Sequence, residues 1–117
     1  DQKLVGFEAV SAQDVQSTLA QLTAQSIALA LAQLEFQADQ LLVCGGGAFN
    51  LDLMARLQRL LSATVVLDTS SANLPPMQVE ATAFAWLAKQ HCESLPGNLV
   101  SATGAKGPRI LGACYPA

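Results

Sequence analysis

The chain has 117 residues, of which 51% are hydrophobic and 13% charged, with a net charge of −3 and a sequence pI near 4.8. This length suits one domain with a real core, and the scattered Lys and Arg residues argue against a nucleic-acid partner. The longest uncharged tract, Val15 to Leu34, is interrupted by Gln, Ser and Thr residues, which argues against a membrane span.

The first predicted element is a long helix from about Ala12 to Leu34. Ser11, followed three residues later by Asp14, is typical of a helix N-terminus. Apolar residues then return at roughly helical spacing, so we expect a buried or half-buried helix. These residues are Val15, Leu19, Leu22, Ile27, Leu31 and Leu34.

A strand, a turn and a second helix are predicted next. Leu41 to Cys44 is a short apolar run closed by glycine, which suits a strand buried on both faces. Three glycines, Gly45 to Gly47, separate this strand from a helix that Asn50 can cap. The apolar residues of that helix fall on one side, while Arg56 and Arg59 face out. The apolar set is Leu53, Met54, Leu57, Leu60 and Leu61.

Another strand and a third helix follow. Thr64 to Leu67 is predicted to be a strand, ended by the polar turn DTSSAN. A helix is expected after Pro75, with Phe84, Trp86 and Leu87 on its core face. The sequence LPGN at Leu95 to Asn98 ends this helix.

The order helix, strand, helix, strand, helix predicts an α/β fold. Right-handed crossovers place the two strands parallel and leave helices flanking a layered sheet, all within one domain over residues 1–117. After the third helix, a tail rich in glycine and small polar residues leads to a last short apolar segment, RILGACY.

The three glycines lie where α/β proteins gather ligands, at the carboxyl end of a strand and before a helix. Gly45 to Gly47 lack side chains, so a base, ribose or phosphate can lie against their backbone. The pattern matches neither G-x-G-x-x-G, because position 50 is Asn, nor G-x-x-x-x-G-K-[ST]. Two interpretations therefore remain open, a nucleotide-binding turn and a tight packing turn between helix and sheet.

The three cysteines indicate neither a disulfide framework nor a metal site. Cys44, Cys92 and Cys114 are widely spaced, form no C-x-x-C pair, and have only His91 as a neighbouring metal-type ligand. We expect Cys44 to be inert core and His91 to be solvated or paired with the helix dipole. The first ten residues resemble no signal peptide, so a reducing cytoplasm fits best.

Most of the chain from Ser11 onward resembles the C-terminal part of the anhydro-N-acetylmuramic acid kinases. The segments that carry the resemblance are VCGGGAFNLDLMARLQRLL, PPMQVEATAFAWLA and LPGNLVSATGAKGPRILGACYP. The helix that precedes the glycine motif in that family is similar to SAQDVQSTLAQLTAQSIALAL. The family is identified as a member of the actin-like (ribonuclease H-like) sugar kinases, which have two lobes with ATP in the cleft between them.

The resemblance implies an activity and a set of site residues. The family uses ATP and Mg²⁺ to open the ring of 1,6-anhydro-N-acetylmuramic acid with water and phosphorylate the 6-hydroxyl, as part of cell-wall recycling. It implies that Gly45, Gly46 and Gly47 form the turn on the adenosine side, that Asn50 helps to set it, and that Glu80 contacts the sugar. A carboxylate such as Glu80 is also what the dipole favours in a first helical turn.

Three residues of the tail leave a similar choice open. Asn98, Thr103 and Gly104 lie in segments that would border the nucleotide if the resemblance extends to them, or they are simply turn formers.

The resemblance also indicates what this chain lacks. The phosphate loop and the aspartate general base of such kinases belong to an N-terminal lobe that is not visible here, and structural roles suffice for the aspartates that are present. These are Asp1, Asp14, Asp39, Asp52 and Asp68. We therefore expect the chain alone to be inactive. From the resemblance we also expect the whole enzyme to be a homodimer. The alternative is a non-catalytic α/β module that docks another chain through an apolar surface.

Overall fold

The computed structural model describes residues 6–7 and 9–115, and within them the chain forms helices and a two-stranded sheet. The helices and strands are α1 (Ala12–Ala32), β1 (Gln40–Val43), α2 (Leu51–Leu60), β2 (Val65–Asp68), α3 (Val79–Cys92) and α4 (Val100–Thr103). Short 3₁₀ turns cover Gly46–Phe49, Thr69–Ala72 and Pro76–Gln78. None of the described helices combines the length and the hydropathy that crossing a membrane requires.

The contacts divide the chain after Pro76 into two compact units. The first unit contains α1, α2 and the sheet, and the second contains α3, α4 and the irregular tail. Whether residues 1–117 form the one domain that their number suggests stays a prediction.

The predicted α/β order and parallel strands are confirmed. β1 pairs with β2 in parallel, from Gln40 beside Val65 to Val43 beside Asp68. Because both strands run in the same direction, their carboxyl ends lie at one edge of the sheet. This edge carries the glycine turn after β1 and the DTSSAN turn after β2.

The start of α1 follows the predicted capping pattern. The backbone N–H of Asp14 donates to Ser11 Oγ over 3.1 Å, and Ser11 Oγ donates to Asp14 Oδ2 over 2.7 Å. These bonds satisfy a backbone donor that the first turn of a helix leaves unpaired. The helix ends at Ala32, two residues before the predicted end at Leu34.

The core of the first unit is small and lies where α1 packs against α2. Ala24 of α1 and Leu57 of α2 are buried, as is Ala48 in the 3₁₀ turn. Large apolar residues of α1 such as Leu19 and Leu22 are exposed, so the predicted burial holds for only part of the helix. No further layer covers them within the described part of the chain.

The predicted burial of β1 on both faces is wrong for this chain. Leu42 is 39% exposed and Cys44 is exposed, which also corrects the prediction that Cys44 is inert core. The sheet of the described residues has two strands, so each strand is an edge strand, and helices do not cover both of its faces. The strand is thus more apolar than is usual for a strand that is only partly buried.

The predicted core face of α3 is also largely exposed. Phe84 is 63% exposed and Trp86 is 50% exposed, whereas Leu87 is half-buried. Helical periodicity shows which residues share a face, but it does not show that the covering layer is present in the same chain. These two aromatic side chains are therefore available to contact another protein segment.

Arg56 does not face out as predicted. Its side chain is 17% exposed, and its guanidinium donates to Asp52 Oδ2 over 2.8 Å, to Gln21 Oε1 over 2.9 Å and to Ser17 Oγ over 2.9 Å. The bonds to Gln21 and Ser17 tie α2 to α1, since both residues lie on α1. Arg59, by contrast, is exposed as predicted.

Candidate functional site

The glycine turn begins with a residue whose conformation requires glycine. Gly45 has φ of 70° and ψ of −167°, a region that side chains make inaccessible to other residues. Its N–H donates to the carbonyl of Pro76 over 2.9 Å, which ties the end of β1 to the chain that follows β2. The 3₁₀ turn Gly46–Phe49 then reverses the chain toward α2.

Gly46 has no such requirement within this chain. A Cβ atom built on Gly46 meets nothing within 4 Å, and its φ lies outside the left-handed region. A Cβ atom on Gly47 would lie 3.5 Å from Leu53 Cδ2, which is ordinary van der Waals contact. Within the described part of the chain, no neighbour accounts for glycine at position 46, whereas position 47 is in ordinary contact with α2.

Two backbone N–H groups of the glycine turn have no hydrogen-bond acceptor among the described residues. Ala48 N–H donates to the carbonyl of Gly45 over 3.2 Å, and Asn50 N–H donates to the carbonyl of Gly47 over 3.1 Å. The N–H groups of Gly46 and Gly47 have no acceptor among residues 6–7 and 9–115, as is usual for the first residues of a helical turn. They lie beside the open space over Gly46 and are available to an anionic or carbonyl oxygen.

Asn50 connects the turn to α2, and its predicted role as a cap is confirmed. Its Oδ1 accepts the N–H of Leu53 over 3.1 Å, while its own N–H bonds back to Gly47. One residue thus fixes both the end of the turn and the start of the helix. Its Nδ2 has no acceptor in the described part of the chain.

Two substitutions of Asn50 are expected to separate the effect of its capping oxygen Oδ1 from that of its Nδ2 donor. Asn50→Ala removes the cap and should lower the free energy of unfolding by about 1 kcal/mol. Asn50→Asp keeps an oxygen at the cap, so its stability should match that of the parent protein, but it removes the Nδ2 donor. Urea denaturation of both variants checks the stabilities. An Asn50→Asp variant as unstable as Asn50→Ala would contradict this assignment.

The turn after β2 lies next to the glycine turn at the same sheet edge. Asp68 Oδ1 accepts the N–H of Ser70 over 2.7 Å, which caps the 3₁₀ turn Thr69–Ala72. Thr69 Oγ1 is a buried atom without a hydrogen-bond partner among the described residues. The sequence predicted a polar turn here, and these contacts confirm it.

Three of the five aspartates have structural roles of the kind that the sequence suggests. Asp14 accepts a hydrogen bond from Ser11, the cap of α1, Asp68 caps a turn, and Asp52 pairs with Arg56 at 2.8 Å. Asp39 is exposed, and Asp1 lies outside the described residues.

Glu80 lies in the second unit, in the first turn of α3. Its side chain is exposed and makes no ion pair or hydrogen bond with another described residue. Both the predicted contact with a sugar and the simple helix-dipole role remain compatible with this position.

The tail residues mainly form turns. Asn98 Oδ1 accepts the N–H of Arg109 over 2.6 Å, and Asn98 Nδ2 donates to the carbonyl of Gly107 over 3.2 Å. Thr103 Oγ1 donates to the carbonyl of Leu99 over 2.9 Å. Gly104 follows α4 with φ of 65°, as a helix-ending glycine does. These contacts favour the turn-forming interpretation.

The other chemically reactive residues form no obvious centre. His91 Nδ1 lies 2.9 Å from the carbonyl oxygen of Leu111, and the thiols of Cys44, Cys92 and Cys114 are free and exposed. Within residues 6–7 and 9–115, no three His, Cys, Asp or Glu side chains converge as metal ligands.

Apolar surface is abundant in both units. Phe49 and Leu51 are exposed beside the glycine turn, and an apolar groove of about 410 Å³ in the second unit is lined in part by Phe84, His91 and Leu111. These surfaces favour contact with further protein, as a detached part of a larger protein would require.

Comparison with known proteins identifies the family. The family model for anhydro-N-acetylmuramic acid kinase matches residues 1–117. The kinase of Pseudomonas paraeruginosa strain PA7 is 48% identical over 116 residues, covering 99% of this chain and 32% of that protein. The kinase of Pasteurella multocida strain Pm70 is 53% identical over 117 residues, covering 99% of this chain and 31% of that protein. The chain spans about a third of the length of these curated relatives, and it belongs to the anhydro-N-acetylmuramic acid kinase family.

Proposed function

We propose that this chain is the C-terminal part of an ATP-dependent kinase that acts on 1,6-anhydro-N-acetylmuramic acid. The whole enzyme adds water across the 1,6-anhydro bond and transfers the terminal phosphoryl group of ATP to the 6-hydroxyl. The products are N-acetylmuramate 6-phosphate and ADP. Family membership over the full length of the chain supports this reaction.

The observation that carries the proposal is the open backbone at Gly46. Neither its conformation nor its neighbours within the described residues call for glycine, and a nucleotide lying against the backbone would account for it. Gly45, Gly47 and Asn50 complete the same turn at the carboxyl edge of the parallel sheet. We assign these four residues to the adenosine side of the ATP site.

The described residues fit ATP better than they fit its metal. The open turn with its free N–H groups suits a nucleotide, and no three His, Cys, Asp or Glu side chains converge in the described ranges. We infer that Mg²⁺, the phosphate loop and the general base are held by the part of the protein outside this chain. The role of this chain is then to bind and orient the nucleoside.

Glu80 is proposed to contact the sugar. Its carboxylate is exposed and has no partner among the described residues, so it is able to accept a hydrogen bond from a sugar hydroxyl. A carboxylate already committed to an ion pair would be less suited to this role.

The exposed apolar residues support a larger assembly. We propose that the chain is a partial C-terminal lobe of an actin-like fold, that the rest of the polypeptide covers much of this surface, and that the whole enzyme is a cytoplasmic homodimer. The alternative, a non-catalytic docking module, draws on the same exposed residues, including Phe84 and Trp86.

The reaction is tested with the full-length protein, ATP, Mg²⁺ and the anhydro-sugar. We expect mass spectrometry to detect N-acetylmuramate 6-phosphate, formed in equal amounts with ADP, and oxygen from ¹⁸O-labelled water to enter the sugar. Phosphorylation of ordinary N-acetylmuramate but not of the anhydro form would contradict the substrate assignment. Absence of any phosphoryl transfer would favour the docking module.

A further inference from the structure

We infer that Gln58 takes the place of a neighbouring strand along the outer edge of β2, the side that faces away from β1. In this position it keeps the edge of the sheet closed, in the full-length protein, to a strand of a second copy. The observation that carries the inference is a pair of hydrogen bonds between this carboxamide, on α2, and the backbone at the start of β2.

The outer edge of β2 presents the backbone groups of alternate residues. The N–H of Val65 donates to the carbonyl of Asp39 over 2.9 Å, so the backbone groups of Val65 face β1. Successive residues of a strand direct their backbone groups to opposite sides, so the carbonyl of Thr64 and the N–H of Val66 face away from β1. A further parallel strand would bond to both of these groups through a single residue.

The carboxamide of Gln58 occupies both groups. Its Nε2 donates to the carbonyl of Thr64 over 3.0 Å, and its Oε1 accepts the N–H of Val66 over 2.9 Å. Nε2 also donates to the carbonyl of Leu61 over 3.3 Å. A carboxamide has the same kinds of donor and acceptor as a backbone peptide group, so Gln58 reproduces the bonds that one residue of a neighbouring strand would make.

The backbone that Gln58 bonds to is already fixed by other contacts. Thr64 is buried, and its Oγ1 donates to the carbonyl of Ala38 over 2.8 Å and accepts from Gln37 Nε2 over 3.2 Å. On the other side of the contact, Leu57 is buried and anchors the turn of α2 that carries Gln58. Both partners are therefore held in place before the carboxamide bonds form, which lowers the entropy cost of forming them.

An open edge on β2 would favour pairing with another chain. The run Val65-Val66-Leu67 has high β propensity and no charge, and the side chain of Val65 is exposed. Unpaired backbone groups beside such residues are a template for strand addition. Gln58 removes two of these groups at the start of the strand.

The Gln58→Met variant of the full-length protein tests this role, because methionine keeps the length of the side chain but has no amide. The matched control is Gln25→Met, since Gln25 is exposed on a different helix, α1. Hydrogen–deuterium exchange resolved to single amides should show Val66 exchanging at least about fivefold faster in Gln58→Met than in the parent. The N–H of Val65, bonded to Asp39, should exchange as in the parent. Gln25→Met should leave both amides unchanged.

Sedimentation velocity tests the protection against a second copy. With the edge open, Gln58→Met should form larger species than the parent as the protein concentration rises. The N–H of Val66 should be protected again in these species, because a strand of the second copy then accepts it. Gln25→Met introduces the same apolar side chain elsewhere, so it should sediment as the parent does.

Three results would overturn the inference. Unchanged exchange of Val66 in a folded Gln58→Met variant would mean that another segment of the full-length protein covers this edge. Equal acceleration of Val65 and Val66 would indicate a loss of overall stability rather than an opened edge. Sedimentation of Gln58→Met identical to that of the parent at every concentration would contradict the protective role.

Discussion

The Gly46→Val variant of the full-length protein is expected to lose ATP binding while keeping its fold. The space around the Cβ position of Gly46 is empty in this chain, and its φ lies outside the left-handed region. We therefore expect a side chain there to clash with no described residue and to meet the proposed nucleotide. Calorimetric titration with ATP and with ADP, each with Mg²⁺, should show at least about a tenfold loss of affinity, equal to 1.4 kcal/mol or more.

Alanine substitutions at Gly46 itself and at the neighbouring Gly45 provide the controls for this experiment. Gly46→Ala tests whether one methyl group is enough to weaken ATP binding, and its stability should equal or slightly exceed that of the parent. Gly45→Ala should instead lower the free energy of unfolding by about 1–3 kcal/mol, because Gly45 has φ of 70°. Unchanged ATP affinity in a folded Gly46→Val variant would contradict the placement of ATP against this turn.

The second large effect is expected from the 117-residue chain alone, which should produce no ADP from ATP and the anhydro-sugar. Phosphoryl transfer needs the metal, the phosphate cradle and the positioned nucleophile together. The described residues contain no metal-ligand cluster, and the aspartates resolved at helix starts and turns have structural roles. If these components lie outside this chain, as proposed, their loss should remove turnover rather than reduce it.

A coupled ADP assay on equal molar amounts of the chain and the full-length protein tests this expectation. Circular dichroism of the chain should first establish that its helices form, so that inactivity is not a result of unfolding. ADP production by the pure chain that depends on the anhydro-sugar would contradict the account. It would mean that a general base and a phosphate site lie within these 117 residues.

Local sequence patterns predicted much of the first unit because the interactions that form it are local. Ser11 and Asp14 start α1, and Asn50 starts α2, through contacts with backbone groups only three residues away. The parallel pairing of the strands follows from the intervening helix, which forces a crossover.

Contacts across the fold were harder to predict from the sequence. The helical pattern predicts Arg56 on the solvent side of α2, away from its apolar residues, yet Ser17 and Gln21 of α1 accept its hydrogen bonds.

The predicted burial of several apolar residues is also not seen in this chain. Leu42, Phe84 and Trp86 follow patterns typical of buried strands and helices, but in this chain they are substantially exposed. Their patterns are those of a whole protein about three times as long, as judged from the curated relatives. We propose that segments of the longer protein outside this chain cover these residues.

The central claim, that ATP lies against the glycine turn, is tested most directly by NMR of the full-length protein labelled with ¹⁵N in glycine. The account predicts that ATP with Mg²⁺ shifts the amide resonances of Gly46 and Gly47, assigned through Gly46→Ala and Gly47→Ala variants. Gly97, whose N–H is bonded to Arg109, should remain unshifted as an internal reference. Saturating ATP that leaves the Gly46 and Gly47 resonances in place would contradict the claim.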